Sequence, residues 1–176
     1  MEAEPDHSSI IGNAGLVLLN PYLPALFERL GVTTKSGEGL PGIEGIEARS
    51  RGVHLLQYLV DGRTDAPLPQ LALNKLLSGV AICEPVALSI VPGEADIAIC
   101  DGLLHAVITN WPIIKGTSID ALRETFLQRE GRLRREDGRW DLLVQRKALD
   151  VLVDQIPWTF STVYHRWMAD PVQVTW

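Results

Sequence analysis

Cysteine is nearly missing from this sequence: Cys83 and Cys100 are the whole complement. Two thiols cannot build a disulfide framework, and theirs is not the close paired spacing of a zinc site, so both are expected reduced and buried. Long apolar runs are missing too. None approaches the ~20 residues that a helix needs to cross a bilayer, and the acidic start of the chain is unlike a secretory signal, so a cytoplasmic protein with no membrane segment is expected. Positive charge is in deficit, 16 Lys and Arg against 22 Asp and Glu, for a formal net charge of -6. That balance argues against a general binder of nucleic acid. Neither a repeat of solenoid length nor a low-complexity tract beyond one glycine-rich stretch is present.

What the chain does have is enough apolar material for one core: 46% of its 176 residues are hydrophobic, adequate for a single domain without metals or disulfides. Residues 1–9 read as a disordered polar tail and 10–176 as one domain. After a short apolar run at 14–19, Asn20-Pro21 opens a helix with Leu23, Leu26, Phe27 and Leu30 on one stripe, stopped by Gly31. Residues 33–45 hold four glycines and a proline and read as a flexible loop. Further helical stripes follow over 46–60 (Val53, Leu56, Leu59, Val60), 67–77 (Leu68, Leu71, Ala72, Leu76, Leu77) and 97–111, the last stopped by Pro112. Thr117 and Asp120 resemble a capping box ahead of Ile119, Leu122, Phe126 and Leu127.

Beyond residue 131 the character changes. Asp137-Gly138, flanked by extended stretches at 132–136 and 139–145, predicts a hairpin with a turn whose central residues take positive φ. A helical stripe at 148–156 and extended segments at 159–164 and 172–176 complete the chain. The expected fold is α+β: a mainly helical N-terminal layer of about five helices packed with a small antiparallel C-terminal sheet.

Few motifs point to chemistry. Residues 37–42 match the spacing of a dinucleotide-binding loop, but a helix precedes them where a buried strand belongs. Asp101 and His105 stand at i, i+4 and could offer two ligands to a metal, which is too few for a closed site. No Gly-x-Ser-x-Gly elbow is present, and neither cysteine has an evident electropositive setting. No catalytic residue, cofactor or metal is therefore assigned.

Two excesses remain. Arg129, Arg132, Arg134, Arg135, Arg139 and Arg146 crowd one region, interleaved with Glu130, Glu136, Asp137 and Asp141, a pattern that reads as a solvated face open to a protein contact. Four of five tryptophans, Trp140, Trp158, Trp167 and Trp176, lie in the last stretch of the chain, where they serve either as core behind the sheet or as anchors for a partner. The interface candidates are Arg129, Arg132, Arg134, Arg135, Arg139, Trp140, Trp158 and Trp167. Asn13, Asn74 and Asn110 are expected to serve the fold by satisfying buried backbone.

Several long strings carry a resemblance: Asn13-Ala-Gly-Leu-Val-Leu-Leu-Asn-Pro-Tyr-Leu-Pro-Ala-Leu-Phe-Glu-Arg-Leu30, His54-Leu-Leu-Gln-Tyr-Leu-Val-Asp-Gly62 and Leu73-Asn-Lys-Leu-Leu77. They continue in Ile108-Thr-Asn-Trp-Pro112, Leu122-Arg-Glu-Thr-Phe-Leu-Gln-Arg-Glu-Gly131, Ile156-Pro-Trp158 and Val174-Thr-Trp176. Over 10–176 the chain resembles the contractile injection system tape measure protein family, departing from it at Ser78 and Arg166. The resemblance implies a non-enzymatic assembly component of a phage-tail-like machine, with tube, hub or baseplate proteins as partners and self-association left open. It further implies assembly in the cytoplasm and leaves open retention in the finished particle. Even all-helical, the chain would reach only ~260 Å at ~1.5 Å per residue. It therefore resembles the family's shared globular region, one that anchors rather than measures. The alternative is a small adaptor for protein or nucleic acid acting through the arginine-rich hairpin.

Overall fold

Glycine and proline set the element ends much as their backbone chemistry requires. In the computed structural model, which describes residues 7–35 and 41–176, helix α2 runs Gly45–Asp61 and is closed by Gly62 at φ 76°, whose N–H returns to the Tyr58 carbonyl. The expected stripe of Val53, Leu56, Leu59 and Val60 is buried, and burial extends right round the helix over 52–57, so packing from more than one side orders the element. Helix α4, Glu94–Asn110, starts where the Asp96 carboxylate accepts the Gly93 N–H and ends just before Pro112. It buries Cys100, Leu103, Leu104, Val107 and Ile108.

The helix expected from Asn20 is split. A 3-10 helix, Ala14–Tyr22, carries Pro21 inside it, and α1 covers Leu23–Arg29. Residues 14–19 are buried on all sides, so no amphipathic stripe distinguishes one helix type from another. The stripe at 67–77 is likewise a 3-10 turn, Leu68–Leu71, followed by α3, Ala72–Leu77. At α5, Ile119–Leu122, the cap is Ser118 rather than Thr117: the Ser118 hydroxyl accepts the Ala121 N–H at 3.1 Å. The chain then widens into a π turn at Arg123–Leu127.

The Asp137-Gly138 turn takes φ 53° and 74°, and it joins β4, Gly131–Glu136, to β5, Arg139–Val144. Three more strands complete this sheet: β1 at Ser8–Ile11, β6 at Thr162–Val163 and β7 at Val172–Thr175. A separate short pair, β2 (Thr34–Lys35) and β3 (Pro41–Gly42), lies within the expected 33–45 loop. Residues 36–40 of that loop, with most of the 37–42 glycine motif, lie outside the described residues.

The fold class is α+β, with two corrections to the sheet. Its order is β1-β4-β5-β7-β6, and β5 pairs with β7 in parallel, so the sheet is mixed. A parallel neighbour needs a crossover, which is supplied here by the 3-10 turns Ala148–Val151 and Val153–Gln155 and by β6. Secondly, Ser8 and Ser9, assigned to a disordered tail, are paired with Arg134 and Leu133 in β1·β4; residues 1–6 lie outside the described residues. The inner sheet face, Leu133, Trp140, Leu142, Val144 and Val172, joins Leu16, Leu18, Phe27, Leu104 and Trp111 in one core.

Candidate functional site

Strand alternation sorts the arginines. Because successive side chains leave opposite faces of a strand, Arg132 and Arg134 of β4 and Arg139 of β5 stand on the outer face with Glu136, Asp141 and Leu143. The register aligns Ile10, Arg132, Leu143 and Thr175 in one row across four strands. Ile10 is 58% and Leu143 56% exposed, so this row sets a guanidinium between two uncovered apolar side chains. Charges alternate nearby: Arg134 lies 3.2 Å from Glu136, and Arg139 3.3 Å from Asp141. Arg135 leaves the other face, 5.9 Å over the Trp140 ring and 3.7 Å from Asp170.

Arg129 belongs to none of this surface. It is 1% exposed and its partner Asp150 is 0% exposed. The two nitrogens of the guanidinium fork meet the two carboxylate oxygens at 2.5 and 2.9 Å, and also donate to the Gln145 and Thr125 carbonyls. Asp150 further accepts the Lys147 N–H and the Trp176 indole N–H. Burial by itself raises the Asp150 carboxyl, but the Arg129, Lys147 and Trp176 hydrogen bonds and the Arg129 charge outweigh it and hold it below the usual carboxylate range. As an interface candidate, Arg129 is corrected by the structure to a core residue, because only inside the protein are all its bonds available.

The tryptophans divide the same way. Trp140 is buried on the inner sheet face, which removes it from the interface set. Half-buried Trp158 and Trp167 donate their indole N–H groups to the Leu18 and Leu77 carbonyls, each at 2.8 Å. Trp111 does the same to Leu152 at 3.0 Å. These indoles tie the C-terminal segments to the helical layer by bonding backbone carbonyls across the contact, that of Leu77 at the end of α3.

Cys83 is exposed, contrary to expectation: Lys75 Nζ donates to the Ile82 and Glu84 carbonyls on either side of it, fixing a bend that turns the thiol outward. Cys100 is buried as expected, and burial, with Asp101 and Asp96 nearby, pushes its thiol up to about 12. Asp101 is engaged by the Tyr58 hydroxyl at 2.9 Å rather than by His105. Among the described residues, no three His, Cys, Asp or Glu side chains are grouped to hold a metal.

Concave surface is found at several places among the described residues. A groove of about 660 Å³ is floored by Leu76, Val80 and Ile82 beside Trp140. A smaller one adjoins His7, Ser9 and Leu68. A cleft of about 480 Å³ lies where β1 runs into Gly12 and Asn13, opposite the end of α2. This last one was missed by sequence reasoning, although the asparagine was noted: Asn13 and Asn74 meet Gln57 there in a buried amide network. By contrast Asn110 donates to the Tyr22 hydroxyl at the surface.

No helix among the described residues is long and apolar enough to cross a membrane. No curated protein and no solved structure matches the chain. The family described as contractile injection system tape measure protein matches residues 1–176. That match spans the whole sequence: the chain belongs to the contractile injection system tape measure protein family, a family of structural components.

Proposed function

We propose that this chain is a non-enzymatic assembly domain of a phage-tail-like injection machine, docking on tube, hub or baseplate proteins through the outer sheet face. The observation that carries the reading is the match of the entire sequence to a tape measure family. The face itself suits a protein contact, with Arg132, Arg134 and Arg139 presented on a rigid sheet beside exposed Ile10 and Leu143. Arginine forks and apolar side chains together are what protein interfaces select. The alternating Glu136 and Asp141 favour a patterned protein partner over a polyanion.

A folded body of this size has a radius of gyration of only ~16 Å, so the domain acts as an anchor from which tube growth starts or stops. Assembly in the cytoplasm fits this role. The test is electron microscopy of injection particles from cells with and without the chain, scoring particle number and tube length. Loss of particles is the expected result. Normal particles of normal length would reject an assembly role, and altered length with normal number would make the domain part of the ruler.

A further inference from the structure

We propose that the cleft between β1 and the end of α2 binds a basic side chain, lysine or arginine, carried on an extended segment of a partner protein. The cleft is lined by Asp61 and Glu130 and by no lysine, arginine or histidine. Among the described residues neither carboxylate has an ion pair. Asp61 accepts only the Gln57 side-chain amide at 2.8 Å and the Arg63 N–H at 2.9 Å, leaving lone pairs on both oxygens.

The second, independent observation is Asn13, which lines the same cleft and is 3% exposed. Its amide nitrogen donates to Gln57 Oε1 at 2.9 Å and to Asn74 Oδ1 at 2.6 Å. Its Oδ1 has no partner. Turning the amide over would set that oxygen against two acceptors, so the network locks an unsatisfied acceptor in place. A buried acceptor without a donor is costly, and a positive charge held in the cleft that Asn13 lines offsets that cost through its field on the amide oxygen. A metal ion would need more anionic ligands than the cleft supplies, whereas an ammonium or guanidinium needs only convergent acceptors. Ile10 and Val60 border the cleft and can cover the alkyl stem of such a side chain.

The edge beside it says how that side chain arrives. The Arg135 N–H donates to the His7 carbonyl, and with the β1·β4 register this makes Ser9 and Ile11 the residues bonded to β4. Ser8 and Ile10 therefore direct their backbone groups away from β4, at the edge of the sheet among the described residues. An extended segment can add there as a further strand. The inference concerns the β1 edge and its cleft, which share only Ile10 with the outer-face residues named above, and its binding test needs no injection particle.

The experiment is an NMR titration of the isotope-labelled full chain with the capped peptides Val-Thr-Arg-Thr-Val, Val-Thr-Lys-Thr-Val and Val-Thr-Glu-Thr-Val. Saturable shifts of the Asn13, Gln57 and Gln128 side-chain amides and of the Ser8 and Ile10 backbone amides are expected with the first two peptides and not with the third. Glu130→Gln, an exposed and conservative change, should leave the remaining spectrum in place and weaken binding by about tenfold. Equal response to the glutamate peptide, no response to any peptide at millimolar concentration, or unchanged affinity in Glu130→Gln would overturn the proposal. So would concentration-dependent shifts of the same amides without peptide, which would assign the edge to a second copy of the chain.

Discussion

Asp150 is where three separate stretches of chain meet, because its carboxylate accepts from Arg129, the Lys147 N–H and the Trp176 indole. Replacing it by alanine leaves a guanidinium buried without a counter-charge, a class of change that costs about 3–5 kcal/mol. Asp150→Ala should accordingly lower the urea midpoint steeply, while Asp154→Ala, removing an exposed partner of Arg146, should barely move it. The depressed acidity of Asp150 also fixes a pH dependence. As pH falls below the ordinary aspartate value of ~3.9, the unfolded chain takes up a proton that the folded chain resists, so stability is lost on the acid side and is complete above that value. In Asp150→Asn this part of the acid slope should vanish from a series of urea melts. The two thiols offer a second contrast at the same scale. Exposed Cys83 should react with a thiol-specific dye at once, and Cys100, buried and pushed up to about 12, only as the protein unfolds.

Elements depend on where backbones touch. A Cβ on Gly15 would lie 2.0 Å from the Phe126 carbonyl oxygen, and one on Gly79, already at φ 70°, 2.2 Å from that of Trp167. Both contacts are with backbone and cannot be relieved by a rotamer change, so Gly15→Ala and Gly79→Ala should each reduce the yield of folded protein and lower Tm by several degrees, whereas Gly102→Ala, with open space around it, should be neutral or stabilising. These contacts also explain what the sequence could and could not reveal. Helices α2 and α4 and the β4·β5 hairpin were legible because each announces itself locally, by a 3.6-residue stripe with an end signal or by Asp137-Gly138. The 3-10 character of Ala14–Tyr22 was not, since its residues 14–19 are buried on all sides and leave no periodicity. Nor was the parallel β5·β7 pairing, which is decided by a crossover rather than by the strands. Among the candidate site residues, Arg132, Arg134, Arg135 and Arg139 read as one set in the sequence, and strand alternation within the observed register is what separates Arg135 from the other three. Nothing local distinguished Arg129, whose burial depends on Asp150 further along the chain. Asn13 was legible as a residue and not as part of a cleft, because Asp61 and Glu130 reach it only through the tertiary fold.

At the scale of the molecule, β1 near the start and β7 near the end of the chain lie in one sheet, separated by β4 and β5, so the described residues form a body whose two faces have different work. The inner face is committed to the core, and the outer face is left with charges that stabilise little: exposed pairs such as Arg134 with Glu136 and Arg139 with Asp141 contribute at most about 1 kcal/mol each. A combined Arg132→Glu, Arg134→Glu and Arg139→Glu variant should therefore fold with a Tm within a few degrees of the parent, since none of the three side chains is buried. If the outer face docks the domain on the particle, that variant should fail to restore particles to cells lacking the chain, because reversed charge facing a complementary partner costs association far more than folding. Replacing the same three residues by lysine keeps the charge but loses the paired N–H groups of arginine, and should restore an intermediate particle count. Full restoration by the glutamate variant, at normal protein level, would remove the outer sheet face from the assembly contact. The cleft beside β1 would then be the surface to reverse next, with Glu130→Lys placing its own cation where a partner's is expected.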